Sequence, residues 1–456
     1  EPSITVFNTL NKTRSGLVSL YIDHEIIEPG SNFSINYPDG KHVPVQSVSS
    51  RSDGTHWVLW VKDVPPMGYR SLIIKTEEGK KISGMVEPYQ GKFENDHWSV
   101  ILDPETGSIS SLVDKARQKE MVDTNSEWKP GQLIYERLSN RRQLELYTLR
   151  EEPKRTSLTN VSFGNIEAGS IWTAIHVKGY LEDCSDVPVK IEYRFYNEKP
   201  LIEINYSLIK NPVVRPEALY VAFPFMEENG EIVFEAQGGA VRPGKDQLAG
   251  TSSDWNTVQN YVSIRSEEGQ ILIVSPEIPL FHLGGLNIGN FSYHHDPVSN
   301  HVYSWVLNNY WTTNFRASQE GNLSWRYFLT STDDPGIQKA TDFGWQSRIP
   351  LTGRVFPEGR NDQSIDYTSI LNEEYPGLLM VNAMPSNNDQ GIIFQFREIA
   401  GETIEFIPDQ FFSLYPNAKW TEVNVVGEHL RDINDIINIK PNSVHFLQVS
   451  WNKTTN

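Results

Sequence analysis

VKIEYRFY (189–196) and LIEINYSLI (201–209) decide the fold class. In both, apolar and polar residues alternate with a period of two, and β-branched and aromatic side chains dominate. That is the pattern of strands that lay one face on a core. The same reading extends outward to SITVFNTL (3–10), GLVSLYID (16–23), HWVLWVKD (56–63), YRSLIIKT (69–76), QILIVS (270–275) and SVHFLQVSW (443–451). Turn signals separate these runs, among them Pro38-Asp39-Gly40, Asp53-Gly54, Glu78-Gly79 and Glu267-Glu268-Gly269. Many short strands with turns between them indicate an all-β protein built from sandwiches rather than βαβ units.

Helical periodicity is scarce. DPGIQKATDFGWQSR (334–348) predicts one helix, with Asp334 as N-cap and Pro335 at the first helical position. HLRDINDIINI (429–439) is a weaker candidate. The organisation expected is a small β-sandwich over 1–90, a large β-supersandwich over 91–334, a linker helix over 335–349 and a C-terminal β-sandwich over 350–456.

The chain has 456 residues and one cysteine, Cys184, so neither an internal disulfide nor a cysteine-based zinc cluster is open to it. Its 40 Lys and Arg stand against 58 Asp and Glu, a formal charge of −18. Such a balance argues against nucleic acid or an anionic membrane as partner. No apolar run reaches the roughly 18–20 residues that span a bilayer. The sequence opens EPSITVFN without an initiator Met, which leads us to expect a mature or excised piece of something longer. The seven Asn-x-Ser/Thr sequons, at Asn11, Asn32, Asn160, Asn205, Asn290, Asn322 and Asn452, leave the compartment undecided.

Motifs with a fixed chemistry are missing: there is no GxGxxG after a strand, no phosphate-cradling loop, no HExxH and no GxSxG. His294-His295-Asp296 is the one local cluster of metal-ligand types. Neighbours on an extended chain point to opposite faces, so a solvated loop is the expectation there and a metal site the minor alternative. Trp57, Trp60, Trp98, Trp305, Trp311, Trp325 and Trp345 sit in or beside strands. Aromatic faces can stack on sugar rings, but core packing is the expectation for any single one.

Two segments carry more. In LDPETGSI (102–109), Asp103-Pro104 starts a turn and Gly107 supplies a positive-φ position, so Val100 and Leu102 can pair back against Ile109 and Leu112. In NNYWTTNF (308–315), alternation puts Asn309, Trp311 and Thr313 on one face and Asn308, Tyr310, Thr312 and Asn314 on the other. Either these amides cap neighbouring loops, or they line the wall of a sugar-binding cleft.

Residues 301–331, HVYSWVLNNYWTTNFRASQEGNLSWRYFLTS, resemble the C-terminal region of glycoside hydrolase family 38, the α-mannosidases. SVILDPETGSISSLVDK (99–115) resembles the hairpin that opens the family's large β-domain, EALYVAFPF (217–225) its central strand, and VFNTLNKTRSGLVSL (6–20) the strand pair after its helical bundle. Weaker matches are VPPMGYRSLII (64–74), VSPEIPLFHLGG (274–285) and IIFQFREIAGE (392–402). The resemblance implies a galactose-mutarotase-like supersandwich flanked by two smaller β-sandwich units. It covers the β-region alone. Family members also carry an N-terminal barrel with a zinc ion, an Asp nucleophile and an acid/base carboxylate, and those motifs have no counterpart here.

The resemblance therefore implies the β-region of a retaining α-mannosidase. It would pack on its own catalytic domain, which would hold the zinc, and complete a cleft for an α-mannoside glycan. Asn309, Trp311, Asn314, Arg316, Gln319 and Arg326 are the candidate substrate-binding residues, because sugars need donors in fixed geometry. No catalytic residue or metal ligand is carried over. A non-catalytic carbohydrate-binding module and a scaffold with an oligomer interface are the alternatives.

Overall fold

The computed structural model describes residues 1–76, 84–145, 149, 151–251, 254–288, 292–310, 316–359, 366–386, 391–412 and 418–451. By contacts the chain forms two compact units. One comprises Glu1–Ser83 with Ile349–Asn456, the other Gly84–Arg348.

The Gly84–Arg348 unit is the large β-supersandwich. A ten-stranded antiparallel sheet runs through Trp172–Tyr180, Val189–Tyr196, Ile202–Lys210 and Gly321–Thr332 at its centre. A six-stranded sheet is centred on Glu217–Phe223, which pairs with Gln132–Arg137 on one side and Val302–Asn308 on the other. A four-stranded sheet contains the Trp98–Leu102 and Ile109–Asp114 hairpin. All three contribute to one core, with Ile191, Tyr193 and Phe195 from the first, Leu219, Val221 and Phe223 from the second, and Trp98, Val100 and Leu112 from the third. Every residue of Glu217–Phe223 is buried, because a second apolar cluster around Tyr220, Tyr303, Trp305 and Tyr310 covers the sheet's other face.

The hairpin forms as its residues dictate. Asp103 Oδ1 accepts the backbone N–H groups of Glu105 and Thr106, both at 2.9 Å, closing the turn. Gly107 takes φ 70°, and a Cβ there would come within 2.4 Å of Val177. Both conditions call for glycine. Leu102 then faces Ile109 and Val100 faces Leu112, the pairing the sequence predicts.

In the other unit, Ser3–Asn8 pairs with Gly68–Thr76 on one edge and with Thr352–Phe356 on the other, so one sheet draws strands from both ends of the chain. Arg14 ties the same two regions. Its guanidinium reaches the carbonyls of Ile349 and Pro350, and its Nε donates to Asn8 Oδ1 at 2.8 Å. Asn11, fully buried, donates to the carbonyl of Leu378 at 2.8 Å and accepts from Met380 N at 3.0 Å. Its side chain is thus committed to the fold, which removes the first sequon as a glycan acceptor in the folded chain.

Two expectations about helices change. The predicted helix begins at Ile337, not at Pro335, and ends at Arg348. Asp334 Oδ1 accepts from Gly336 N at 2.8 Å, a turn that precedes the helix. HLRDINDIINI is not helical: it gives strands His429–Ile433 and Ile437–Ile439. Ile437 and Ile439 are buried around an exposed Asn438, so period two prevails there. No helix among the described residues is long and apolar enough to cross a membrane.

Candidate functional site

The outer face of the ten-stranded sheet carries a groove of about 840 Å³. It arises from simple alternation. Ile191, Tyr193 and Phe195 enter the core, so Lys190, Glu192 and Arg194 must face outward. Register then aligns the outward residues in rows across the strands. His176 lies opposite Glu192, Glu192 opposite Asn205, and Asn205 opposite Arg326. In the next row Lys178 lies opposite Lys190, Lys190 opposite Ser207, and Ser207 opposite Ser324. With neighbouring strands about 4.8 Å apart, each row sets polar groups at roughly that interval across the sheet.

The charges in the first row are tied down. Glu192 Oε2 accepts from Arg194 Nη2 at 2.8 Å and from Asn205 Nδ2 at 3.4 Å. Arg194 also meets Glu203 at 3.5 Å and lies 4.6 Å over the Trp172 ring. Burial works against the charge on Arg194, but Glu203 and Glu192 outweigh it and hold its proton more tightly than usual. Arg326 Nε donates to Glu277 at 3.2 Å, and its guanidinium lies 5.4 Å from the Phe328 ring centre. His176 Nε2 lies 3.5 Å from Glu167.

Of the six candidate residues, Arg326 is the one among the described groove-lining side chains. Asn309 is buried at the end of its strand. Its Oδ1 accepts from Glu217 N at 2.8 Å, and its Nδ2 faces the carbonyls of Val213, Arg215 and Ala317 at 2.8–3.1 Å. Asn308 Oδ1 likewise accepts from Tyr310 N, at 3.3 Å. These two amides cap backbone. Arg316 and Gln319 are exposed in the following loop, where Arg316 pairs with Glu320. Trp311 and Asn314 lie outside the described residues.

The groove residues His176, Lys178, Lys190, Glu192, Arg194, Asn205 and Ser207 are absent from the sequence-derived candidates. The signal was present, since the charged half of VKIEYRFY falls on a single face. The tryptophans pack instead. Trp60, Trp98, Trp305, Trp325 and Trp345 are all buried, and Trp325 stacks on Tyr206 with ring centres 5.1 Å apart. Trp57 is half-buried, edge-on to Phe33 at 4.9 Å. His295 spends Nε2 on the carbonyl of Leu283 at 2.9 Å, and His294 is exposed. Among the described residues no group of three His, Cys, Asp or Glu is arranged to hold a metal ion.

Residues 93–275 match the Glycosyl hydrolases family 38 C-terminal domain. The chain resembles the C-terminal β-region of that family. An alpha-mannosidase from Enterococcus faecalis V583 aligns over 99% of this chain and 56% of its own, at 12% identity and a TM-score of 0.70. A family 38 protein from Enterococcus faecalis aligns over 98% and 58%, at 13% identity and a TM-score of 0.71. At such identities the likeness concerns the fold, and this chain spans somewhat over half the length of either protein. A galactose mutarotase-like protein from Lactobacillus casei aligns over 53% of the chain at 12% identity and a TM-score of only 0.31. No curated protein matches by sequence.

Proposed function

We propose that this chain is the C-terminal β-region of a retaining α-mannosidase, and that it packs on a zinc-dependent catalytic barrel and completes that barrel's glycan cleft. The observation that carries the reading is the extent of alignment. Almost the whole chain follows the fold of a longer α-mannosidase and accounts for 56% of it. Retention requires a carboxylate nucleophile and an acid/base carboxylate about 5–5.5 Å apart across the scissile bond. Those roles, and the zinc, belong to the barrel. This chain contributes binding groups, for which Arg326, the exposed Arg316 and Gln319, and also Trp311 and Asn314 are the candidates.

The test is made on the native protein. Antibodies against this chain should precipitate, from its source cells, a species or complex well above 52.0 kDa. The precipitate should hydrolyse an aryl α-mannoside and lose that activity to a zinc chelator. An active precipitate of 52.0 kDa alone, or a larger one without α-mannosidase activity, defeats the proposal.

A second reading, a non-catalytic carbohydrate-binding module, is favoured by one observation: the groove's polar rows lie within a single sheet and need no other domain to form.

A further inference from the structure

The groove's charges do not cancel. Three of its basic side chains have carboxylate partners: Arg194 with Glu192, Arg326 with Glu277, and His176 with Glu167 at 3.5 Å. These pairs engage each of the groove's three lining carboxylates. Lys178 and Lys190 are left over. Both are exposed, and neither has a carboxylate partner among the described residues. The register sets them directly opposite each other on adjacent strands, with Ser207 and Ser324 continuing the row.

Like charges facing each other across a ladder destabilise a sheet. Opposed residues of an antiparallel pair hold their Cα atoms about 4.5–5.5 Å apart. Two ammonium groups on such stems can converge on one anion, and two serine hydroxyls stand beside them as further donors. This uncompensated pair occurs on a chain whose net charge is −18, so general attraction of anions does not explain it. Tyr180 follows Lys178 on the same outward face and is 41% exposed. Strand geometry puts its Cα about 6.8 Å further along, within reach of a group attached to the anion.

We propose that Lys178 and Lys190, with Ser207 and Ser324, bind a tetrahedral oxyanion, phosphate or sulfate, carried on a sugar whose ring packs on Tyr180. Two ammonium groups and two hydroxyls offer more donors than the two oxygens of a carboxylate can use. The sugar rests on the glycan reading above. The anion site rests on the charges and register alone.

Calorimetry on the full chain tests this with mannose 6-phosphate, mannose 6-sulfate, mannose and inorganic phosphate. The better of the two esters should bind at least about tenfold more tightly than mannose, and raising salt from about 50 to about 300 mM should weaken it. The ester arms identify which oxyanion is preferred. Lys178→Ala and Lys190→Ala should each weaken ester binding severalfold without lowering the melting temperature, since both side chains are exposed and removing either relieves the repulsion between them. Tyr180→Ala should weaken the esters but not inorganic phosphate. Esters that bind no better than mannose, or a K178A/K190A double variant with unchanged affinity, overturn the site. Inorganic phosphate binding as tightly as the esters overturns the sugar component. None of these outcomes bears on α-mannosidase activity of the native protein, so the two proposals fail separately.

Discussion

Arg117 grips Glu227 with both terminal nitrogens, at 2.7 and 3.1 Å, and Lys119 reaches the same carboxylate at 2.7 Å. The Glu227 side chain is wholly buried. Ser266 adds a hydroxyl at 3.1 Å. The cluster joins the strand-98 hairpin region to the loop that follows the central strand, within the large unit.

Removing one partner of such a pair leaves charge without compensation. Glu227→Gln should therefore cost about 3–5 kcal/mol, read as a shift in the denaturant midpoint at pH 7. Burial alone would raise the Glu227 pKa, but Arg117 and Lys119 outweigh it and hold the carboxyl below its usual range. Stability from this group is present above the unfolded-state pKa and is lost as pH falls through the folded one. The acid limb of the wild-type stability curve should be steeper than that of the glutamine variant. Equal limbs would contradict the assignment.

Asn309→Ala tests the backbone clasp. It deprives the buried N–H of Glu217 of its acceptor and leaves the carbonyls of Val213, Arg215 and Ala317 without this donor. The expected loss is about 1–3 kcal/mol in urea unfolding. A variant as stable as wild type would restore Asn309 as a candidate for ligand contact.

His282 is fully buried, edge-on to Trp305 at 4.9 Å and to Tyr220 at 5.4 Å. Burial, helped by Arg155 and His295, pushes its pKa down to about 3. The unfolded chain takes up this proton near pH 6.5, whereas the folded chain resists it. Stability from the neutral ring is thus complete above about pH 6.5 and falls away toward pH 3, by at most about 1.4 kcal/mol per pH unit. His282→Phe should flatten that part of the curve, whatever it does to stability at pH 8. Thermal melts between pH 4 and pH 8 measure both.

Arg326 lies on the surface of the sheet, so Arg326→Ala should change unfolding free energy by no more than about 0.5 kcal/mol. If it serves the glycan site, binding of mannose oligosaccharides to the chain should weaken severalfold by calorimetry. Unaltered binding would take Arg326 out of the site.

Much of the fold was legible from local pattern. The Asp103–Gly107 turn specified its own hairpin, down to the facing of Leu102 by Ile109. Alternation in VKIEYRFY told which residues enter the core. The tryptophans divided as burial energetics favour, into the sheets' interiors. HLRDINDIINI misled, because Leu430, Ile433 and Ile437 imitate a helical stripe over so short a run. Pairing of His429–Ile433 with Lys419–Val423, and of Ile437–Ile439 with Ile404–Phe406, overrode it.

The candidate site was less legible. Segment 308–315, with amides and aromatics on both faces, has its first two amides capping backbone. The groove instead gathers residues from stretches around 165, 176, 192, 205 and 326. Each of those is an ordinary polar residue in an alternating strand, and none stands out by itself.

The sequence by itself determined that this is an all-β chain, which residues point inward, and where its sharpest turn must fall. These follow from side-chain volume, polarity and allowed φ, which are local. Only the tertiary structure decided that Ser3–Asn8 lies beside Thr352–Phe356, that Lys178 faces Lys190, and that the Asn309 amide is consumed by backbone. Alternation fixes the face a residue takes but not the strand it meets. Loop-closure entropy grows only logarithmically with length, so a partner some 350 residues away costs about 3 kcal/mol more than one ten residues away, which sheet burial can offset.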